Sequence, residues 1–358
     1  MAQAYHSADI VFAERLLAWW DKHGRRDLPW QKPRTPYRVW VSEIMLQQTQ
    51  VTTVIPYFQR FMARFPDVHA LAGSELDEVL HYWSGLGYYA RARNLHRAAA
   101  VVASELDGVF PETPDALQEL PGVGRSTAAA IAAQAFGVRA AILDGNVRRV
   151  LARQHRLEGP VSSSRTQKQL WRLAESHTPR ARVADYTQAI MDLGATVCRR
   201  TPQCPVCPVR ETCQAHAAGD AARFPQPAIR AMKRLERRRF FVLIDPTGRY
   251  FVERRPPHGI WGGLFSPPER SVDEPLTRFL AANGIDADLV DEVRTGAAFR
   301  HGFSHFDLAA EPVFVRLKAA PAVVRDDGGQ WIRPGEHALG LSSLAATLLD
   351  ADAWREAS

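Results

Sequence analysis

Four cysteines fall within sixteen residues of this chain, which has no others. Their order is Cys198, five residues, Cys204, two residues, Cys207, five residues, Cys213. An iron or zinc centre stabilises thiolates that are crowded together, and chance rarely places cysteines this close. One close pair flanked by two outlying cysteines favours a [4Fe–4S] cluster over structural zinc, which more often uses two close pairs. Zinc and free thiols stay open as alternatives, and we expect the centre to brace its loop rather than to carry electrons.

The termini and the composition exclude some classes of protein. Residues 1–10 hold no basic flank before an apolar run, so we expect no secretory signal. No run of about 18 uncharged apolar residues occurs, which excludes a conventional membrane helix. We therefore expect a cytoplasmic protein, in a compartment where structural disulfides are rare. The net charge of +6 is compatible with a polyanionic partner but does not establish one.

Hydrophobic periodicity divides the chain into a helical part and a smaller mixed part. The length of 358 residues suggests two domains. Apolar residues recur every three or four positions over 51–65, which predicts a buried helix face, and Pro56 is expected to kink or end that helix. We predict a mainly α N-terminal part over residues 1–218, a basic linker over 219–237 and a smaller α+β domain over 238–358.

The last third carries the signals of strands and one helix. Apolar, aromatic-rich runs at 239–245 and 249–255 are separated by Pro246-Thr247-Gly248, which predicts a hairpin. Residues 311–318 are a further strand candidate, and residues 273–283 are predicted to be helical. This mixture indicates an α+β domain.

A glycine-rich turn, Leu120-Pro121-Gly122-Val123-Gly124, precedes Ser126 and an alanine-rich run over 128–133. The glycines permit positive φ and close approach of another backbone, and the following helix offers free N–H groups at its positive end. Such a turn binds a phosphate oxygen without a charged side chain. The alternative is an ordinary tight turn between two helices. With Leu-Pro ahead and the alanine run behind, the segment resembles a helix–hairpin–helix, a motif that would imply a grip on a DNA backbone.

Two carboxylates stand in unusual surroundings. Glu43 is the only ionisable residue between Arg38 and Arg60, and it lies among apolar residues and glutamines. Asp144, in Leu143-Asp144-Gly145-Asn146, is the only ionisable residue between Arg139 and Arg148. Apolar surroundings disfavour the charged form of a carboxyl group and make it a usable proton donor near neutral pH. The alternatives are a helix N-cap for Asp144 and a solvated helix position for Glu43.

Several blocks of this sequence closely resemble the MutY family of adenine DNA glycosylases. They occur in the order found in that family and cover most of residues 28–213. These blocks are Leu28-Pro29-Trp30, residues 35–51, 83–95, 120–127 and 143–149, and the cysteine segment. The one departure is the first cysteine gap, which has five residues where the family usually has six.

The resemblance implies a fold, a cofactor and a partner. It implies a six-helix barrel with a helix–hairpin–helix and a [4Fe–4S] domain, with the target nucleotide flipped into the cleft between them. The implied partner is double-stranded DNA with adenine mispairs, and the implied activity is base excision repair by a monomer. The expected substrate is adenine opposite 8-oxoguanine or guanine.

The resemblance also implies roles for individual residues. Glu43 corresponds to the general acid that protonates the adenine ring, and Asp144 to the carboxylate that stabilises, or transiently bonds to, the cationic sugar. Asn146 and Tyr37 are expected to orient these groups. Three further groups of residues are expected to contact DNA or the flipped base: Gln48 and Tyr88 as wedges beside the mispair, Trp30, Leu46, Val51 and Gln188 in the adenine pocket, and Gly122, Gly124 and Ser126 at the backbone grip. For Trp30 and Tyr88 the alternative is packing in the core.

Two other functions remain open at this stage. An endonuclease III-like bifunctional glycosylase/lyase needs an amine nucleophile, carried in that family by a lysine at the place where this chain has Ser126. Serine cannot form an imine, so we predict a monofunctional enzyme, although weak nicking through another lysine stays open. The second alternative is a non-catalytic damage-binding protein, in which Glu43 and Asp144 would serve no purpose.

The C-terminal part resembles a Nudix domain. Gly263, Glu269 and Phe279 fall at Nudix-box positions, as do Gly284 and Ile285. The acidic residues that would hold magnesium are absent, because their places are taken by Thr277, Arg278, Ala281 and Ala282. Pyrophosphate hydrolysis is therefore not expected. A binding role is expected instead, since Phe303-Ser304-His305 matches the family loop that senses oxidised guanine opposite adenine; the alternative there is a simple strand turn.

Overall fold

The structure is a computed structural model that describes residues 7–227, 232–257, 259–303, 305–319, 329–333, 335–337 and 339–350. Contacts divide the chain into two compact units. The first unit comprises Met1–Gly73 and Asn94–Arg230, and the second comprises Ser74–Arg93 and Ala231–Ser358. The three ranges predicted from the sequence stay a prediction; the contact division differs from them in assigning residues 74–93 to the later unit.

The helices and strands have the following bounds. The helices are α1 (Ser7–His23), α2 (Pro36–Leu46), α3 (Val51–Arg64), α4 (Val68–Ala72), α5 (Leu76–Trp83), α6 (Ala90–Glu105), α7 (Pro114–Gln118), α8 (Arg125–Phe136), α9 (Gly145–Gln154), α10 (Ser164–His177), α11 (Val183–Asp192), α12 (Gln214–Ala217), α13 (Leu276–Ala282) and α14 (Ser343–Leu348). The strands are β1 (Arg234–Ile244), β2 (Tyr250–Arg254), β3 (Phe265–Ser266), β4 (Glu269–Arg270), β5 (Val290–Thr295), β6 (Phe299–Gly302), β7 (Phe306–Leu317) and β8 (Gln330–Ile332). The predicted fold class, a helical part followed by a smaller α+β part, is confirmed.

Polar caps and apolar faces explain the helices of the first unit. Side-chain oxygens of Thr35, Asp67 and Asp144 accept backbone N–H groups at the starts of α2, α4 and α9. Apolar faces of α1 and of α8 to α11 pack into one shared core. Pro56 lies inside α3, which neither ends nor divides there, because Val54, Phe58 and the following apolar residues bury one continuous face.

A mixed sheet forms most of the second unit. Its order is β3-β2-β1-β7-β5, with β4 paired to β1, β6 to β7 and β8 to β2. Strands β1 and β7 run parallel, and Phe241 on β1 stacks on Phe279 of α13 with ring centroids 4.3 Å apart. The predicted hairpin is confirmed as β1 and β2, and its turn is held by Asp245, which accepts the N–H groups of Thr247 and Arg249. The predicted strand at 311–318 lies within the longer β7 except for its last residue, and the predicted helix at 273–283 contains the shorter α13.

Strand β1 begins inside the stretch predicted to be a linker. It starts at Arg234, whereas the predicted linker extends to residue 237. The basic side chains are compatible with a strand because acidic neighbours face them. Arg237 pairs with Glu311 at 2.6 Å, and Arg238 pairs with Glu269 at 3.2 Å. A run of basic residues therefore indicated a linker where cross-strand ion pairs support a sheet.

Within the described residues, no helix has the length and apolar character needed to cross a membrane.

Candidate functional site

Glu43 lies on α2, which begins at Pro36 after the Thr35 cap. Ser42, Ile44 and Met45 beside it are buried, and Glu43 itself is partly buried. Its Oε1 accepts a hydrogen bond of 2.8 Å from Gln134 Nε2 on α8. The pKa of Glu43 is raised to about 7, because burial and the nearby Asp144 carboxylate raise it by more than the Gln134 hydrogen bond lowers it. Glu43 is therefore partly buried rather than a fully solvated helix position, and its raised pKa favours the protonated form up to near neutral pH.

Asp144 caps the N-terminus of α9, as its alternative interpretation predicted. Its Oδ1 accepts the Val147 N–H at 2.7 Å, and its Oδ2 accepts a longer bond of 3.3 Å from Asn146 Nδ2. Burial raises the pKa of Asp144 above its usual value, whereas backbone N–H groups of Val147 and Asn146 and nearby arginines oppose that rise. Capping and catalysis do not exclude each other, because one carboxylate oxygen suffices for the cap.

A chain of hydrogen bonds joins Asn146 to the start of the cysteine segment. Arg149 donates from one terminal nitrogen to Asn146 Oδ1 at 2.8 Å and to the Gly194 carbonyl at 2.6 Å. Its Nε donates to the Cys198 carbonyl at 2.7 Å. Gly194 is required at this contact, since a Cβ there would lie 2.6 Å from Asn146 Cβ. Sequence reasoning missed Arg149, although its place three residues after Asn146 on the same face of α9 was an available signal.

Tyr37 is buried on α2, and its hydroxyl donates to the Phe65 carbonyl at 2.8 Å. Its single proton is thus directed at the end of α3 rather than at either carboxyl group. Burial raises the pKa of Tyr37, so the hydroxyl stays protonated. A role for Tyr37 in orienting the acids stays a prediction, carried by its position on the same helix as Glu43.

The residues predicted to line the adenine pocket lie on different elements of the first unit. Trp30 is buried in a short 3-10 turn with its ring edge-on to Phe58 at 5.4 Å, the core packing given as its alternative. Leu46 and Val51 are partly buried on the two sides of the turn between α2 and α3. Gln188 on α11 is buried, and its Nε2 donates to Asp192 Oδ1 at 2.8 Å.

Gln48 and Tyr88, the two predicted wedge residues, both adopt left-handed backbone conformations. Gln48 has φ 60° and is exposed between α2 and α3. Tyr88, in the second unit, has φ 51° and an exposed fraction of 51%. Its ring lies 5.4 Å from the Arg91 guanidinium. Core packing, the alternative for Tyr88, is wrong. Left-handed, exposed non-glycine residues mark strained positions that often serve function.

The glycine-rich turn joins α7 to α8. Gly122 has φ +80°, and a Cβ there would lie 2.7 Å from Asn94 Cβ, so only glycine fits. Gly124 is the N-cap of α8, and a Cβ there would meet nothing within 4 Å. The Ser126 hydroxyl accepts the Leu143 N–H at 2.9 Å and thereby fixes the residue before Asp144. Ser126 thus has a structural role in addition to its predicted contact with DNA.

The predicted guanine-sensing loop connects β6 to β7. Phe303 donates its N–H to the Phe306 carbonyl at 2.9 Å, the geometry of the strand turn given as its alternative. The Phe303 ring is partly buried among other rings, and His305 is exposed. Ser304 lies outside the described residues.

None of the four cysteines forms a disulfide, and together they line one small cavity of about 20 Å³. Arg153, which is buried, donates to Cys198 Sγ at 3.3 Å. Burial and the three other cysteines raise the pKa of Cys207. In the part of the chain that the structure describes, no three or more His, Cys, Asp or Glu side chains form a group spaced to hold a metal ion. The donor set nevertheless fits an iron–sulfur cluster, because four thiols share one cavity beside a guanidinium group.

Each of the two parts of the chain matches a known protein family. Residues 41–176 match the HhH-GPD superfamily of base excision DNA repair proteins, and residues 239–351 match the NUDIX domain family. Among solved structures, a thermostable thymine-DNA glycosylase is 30% identical with a TM-score of 0.52, covering 59% of this chain and 97% of its own. A non-covalent endonuclease III–DNA complex has a TM-score of 0.51 at 22% identity, covering 60% of this chain and 98% of its own, and shows the fold alone.

Relatives of known name cover most of the chain. The adenine DNA glycosylase of Homo sapiens is 41% identical over 276 residues, which are 74% of this chain and 47% of that protein. The adenine DNA glycosylase of Buchnera aphidicola subsp. Acyrthosiphon pisum is 37% identical over 309 residues, which are 86% of this chain and 87% of that protein. This similarity along almost the whole length confirms the resemblance seen in the motifs. The chain belongs to the adenine DNA glycosylases, enzymes of base excision repair that hydrolyse N-glycosyl bonds.

Proposed function

We propose that this protein removes adenine paired with 8-oxoguanine or guanine in duplex DNA, and that it does so by hydrolysis alone. The observation that carries the proposal is Glu43, a partly buried acid whose pKa is raised to about 7 and which feels the charge of Asp144. A protonated carboxyl beside a second carboxyl is the pair that cleavage of a glycosidic bond requires.

The two acids divide the reaction between them. Protonated Glu43 donates its proton to a ring nitrogen of the flipped adenine, and the bond between the base and C1′ then breaks with its electron pair leaving on the purine. Positive charge develops on the sugar, where the Asp144 carboxylate stabilises it. Water adds to C1′ and loses a proton, which leaves an abasic site and free adenine. Asn146 and Tyr37 orient the two acids.

The remaining predicted residues hold the DNA. The turn at Gly122 and Gly124 and the first turn of α8 with Ser126 bind a backbone phosphate through N–H groups. Gln48 and Tyr88 insert beside the mispair, and their left-handed, exposed conformations support this role. The flipped base and its partner are recognised by two sets of residues: Trp30, Leu46, Val51 and Gln188 for adenine, and Phe303, Ser304 and His305 for oxidised guanine.

The cysteine segment holds a [4Fe–4S] cluster through Cys198, Cys204, Cys207 and Cys213 in this proposal. When bound, the cluster supplies a brace for the loop. Arg149 extends that brace, since it connects the Cys198 carbonyl to Asn146 beside Asp144. Iron and sulfide analysis with a visible charge-transfer absorbance supports the cluster, whereas one equivalent of zinc without that absorbance overturns it.

The partner is double-stranded DNA with adenine mispairs, on which the protein works as a monomer in the cytoplasm with the chromosomal DNA. A net charge of +6 suits a polyanionic partner. Similarity to a solved endonuclease III–DNA complex concerns the fold and does not assign this partner.

The test is a single-turnover assay on duplexes with 8-oxoguanine:adenine, guanine:adenine or thymine:adenine pairs. Adenine release that leaves alkali-sensitive abasic sites in the two mispairs, with the thymine pair untouched, supports the proposal. Strand nicking before alkali treatment instead favours the bifunctional glycosylase/lyase. Tight binding without any abasic product, in protein with a loaded cluster, favours the damage-binding protein.

A further inference from the structure

Trp261 has the backbone conformation that its residue type most rarely adopts. Its φ is 53°, in the left-handed region, and its ring is only 8% exposed. The residue lies in the glycine-rich connection between β2 and β3. A large aromatic residue persists in such a conformation only where its surroundings hold it there.

The Trp261 ring packs against the start of the connection between β6 and β7. Its centroid lies 5.1 Å from that of Phe303, edge to face, and 5.3 Å from that of His301. His301 and Phe303 in turn lie 4.6 Å apart, and Phe303 stacks on Phe306 at 4.9 Å. Burial lowers the pKa of His301, so this ring is neutral at pH 7 and packs as an aromatic group. Phe303 is therefore enclosed by rings on several sides.

Neighbouring groups hold Trp261 from the side of β2. The Arg255 guanidinium lies 5.6 Å from the Trp261 ring, donates through Nε to the Ile260 carbonyl at 3.1 Å and pairs with Glu269 at 2.6 Å. Gly262 permits the close turn, because a Cβ there would lie 2.5 Å from the Pro257 carbonyl oxygen. The backbone around the ring is thus fixed independently of the ring's own contacts.

The Phe303 backbone is fixed as well. Lys233 Nζ donates to its carbonyl at 2.6 Å, and the Phe303 N–H donates to the Phe306 carbonyl. Phe303 therefore points into the aromatic cluster, while His305, two residues later, is exposed. This arrangement makes Phe303 the anchor of the loop and leaves His305 on the surface.

We infer that Trp261 is a positioning residue for recognition of oxidised guanine, which it supports by clamping Phe303 and so setting the shape of the loop between β6 and β7. The inference rests on the proposed function of that loop. The ring contacts described for Trp261 are all with residues of the second unit. Its loss should change which opposite base is preferred, and leave adenine cleavage itself in place.

The test compares Trp261→Leu with Trp261→Phe and a matched control, Trp331→Phe, which alters another tryptophan of the same unit that packs on Phe251. The readout is the ratio of single-turnover excision rates from 8-oxoguanine:adenine and guanine:adenine duplexes. We expect Trp261→Leu to lower this ratio by about tenfold, mostly through the 8-oxoguanine duplex, because two ring contacts are lost. Trp261→Phe should retain most of the ratio, and Trp331→Phe all of it.

Hydrogen exchange of residues 299–306 gives a second readout that does not depend on activity. Exchange there should rise in Trp261→Leu and stay unchanged in Trp331→Phe. An unchanged rate ratio and unchanged exchange in Trp261→Leu would overturn the inference. Should Trp261→Leu fail to fold, the same two measurements on Phe303→Leu test the other half of the clamp. Equal rates of the wild type on both duplexes would overturn the loop's proposed function, and this inference with it.

Discussion

Glu43 and Asp144 are both shielded from water, but they differ in the hydrogen bonds that stabilise a negative charge on the carboxylate. Burial is the largest effect on both and raises both pKa values; for Asp144, backbone N–H groups at the start of α9 oppose that rise. Glu43 receives a single neutral amide bond from Gln134 against burial, and its pKa is raised to about 7. In the proposed mechanism this difference lets Glu43 give the proton while Asp144 faces the cation.

The raised pKa of Glu43 has a consequence for stability. Between the usual pKa of 4.5 and the folded value of about 7, the native protein binds more protons at Glu43 than the unfolded chain does. The stabilising contribution of the protonated form is therefore complete below pH 4.5 and is lost as the pH rises through 7. Relative to Glu43→Gln, the wild type should lose about 2–3 kcal/mol of unfolding free energy between pH 5 and pH 8. Urea unfolding at both pH values measures this, and identical pH profiles of the two proteins would contradict it.

Asp192, a buried residue outside the proposed catalytic pair, should make a large contribution to the free energy of unfolding. It is 1% exposed, and its oxygens accept from Trp20, from Gln188 and from both the backbone and guanidinium of Arg25. Asp192→Asn places amide hydrogens against these donors and should cost about 3 kcal/mol of unfolding free energy.

The matched control for Asp192 lies on the same helix. Asp185 pairs with Arg182 at the surface, and Asp185→Asn should cost less than about 1 kcal/mol. Thermal unfolding of both variants checks the difference. Equal effects would mean that the buried network does not stabilise the fold.

Single residues were predictable where their local context was unusual. Glu43, Asp144 and the four cysteines stand out because of their neighbours in the sequence or their spacing. Their hydrogen-bond partners do not stand out in the sequence, because they lie far away along the chain. Gln134 is 91 residues from Glu43, and Arg153 is 45 residues from Cys198. Folding brings such pairs together, and the polar residue types involved occur throughout the chain.

Elements were predicted well where a local rule determines them. The hairpin of β1 and β2 follows from its turn residues, and the turn between α7 and α8 from its glycines. The start of β1 was not predictable, because the basic residues at Arg237 and Arg238 resemble a linker until Glu311 and Glu269 are seen beside them. Pro56 likewise suggested a break that tertiary burial of α3 overrides.

The glycine turn permits a direct test at the level of the element. Gly122→Ala should lower the unfolding free energy by about 1–3 kcal/mol, because φ is +80° and the new Cβ would meet Asn94 at 2.7 Å. Gly124→Ala is the control, since that residue has φ −87° and the new methyl group would meet nothing within 4 Å. We expect Gly124→Ala to keep the stability of the wild type within about 0.5 kcal/mol in denaturant unfolding. Equal destabilisation by both changes would show that the turn does not depend on its left-handed residue.

On the scale of the whole molecule, the sequence pattern indicated two parts, but it did not show that residues 74–93 belong to the second unit. This segment carries Tyr88 and bonds to residues far along the chain in the second unit. Arg93 donates to the Gly262 carbonyl at 2.6 Å, and the Tyr89 hydroxyl donates to the Leu341 carbonyl at 3.1 Å. Contacts across 169 and 252 residues leave no local signature in the sequence.

Substitutions on α6 can test whether residues 74–93 belong to the second unit. Arg93→Met removes the bond to Gly262 and should destabilise the second unit by about 1–2 kcal/mol. Arg97→Met, one turn further along the same helix and exposed, is the matched control and should have little effect. Hydrogen exchange of residues 74–93 should rise only in Arg93→Met. A rise in both variants, or in neither, would contradict the assignment of this segment to the second unit.

The most direct measurement for the whole account is the single-turnover rate of adenine release from an 8-oxoguanine:adenine duplex, followed from pH 5 to pH 9 in the wild type, Glu43→Gln and Asp144→Asn. Because Glu43 must be protonated to act, the wild-type rate should fall as the pH rises through about 7. Each variant should lose about 100- to 10,000-fold in rate while still binding the abasic product duplex. Excision that survives in either variant at close to the wild-type rate would contradict the assignment of the two acids.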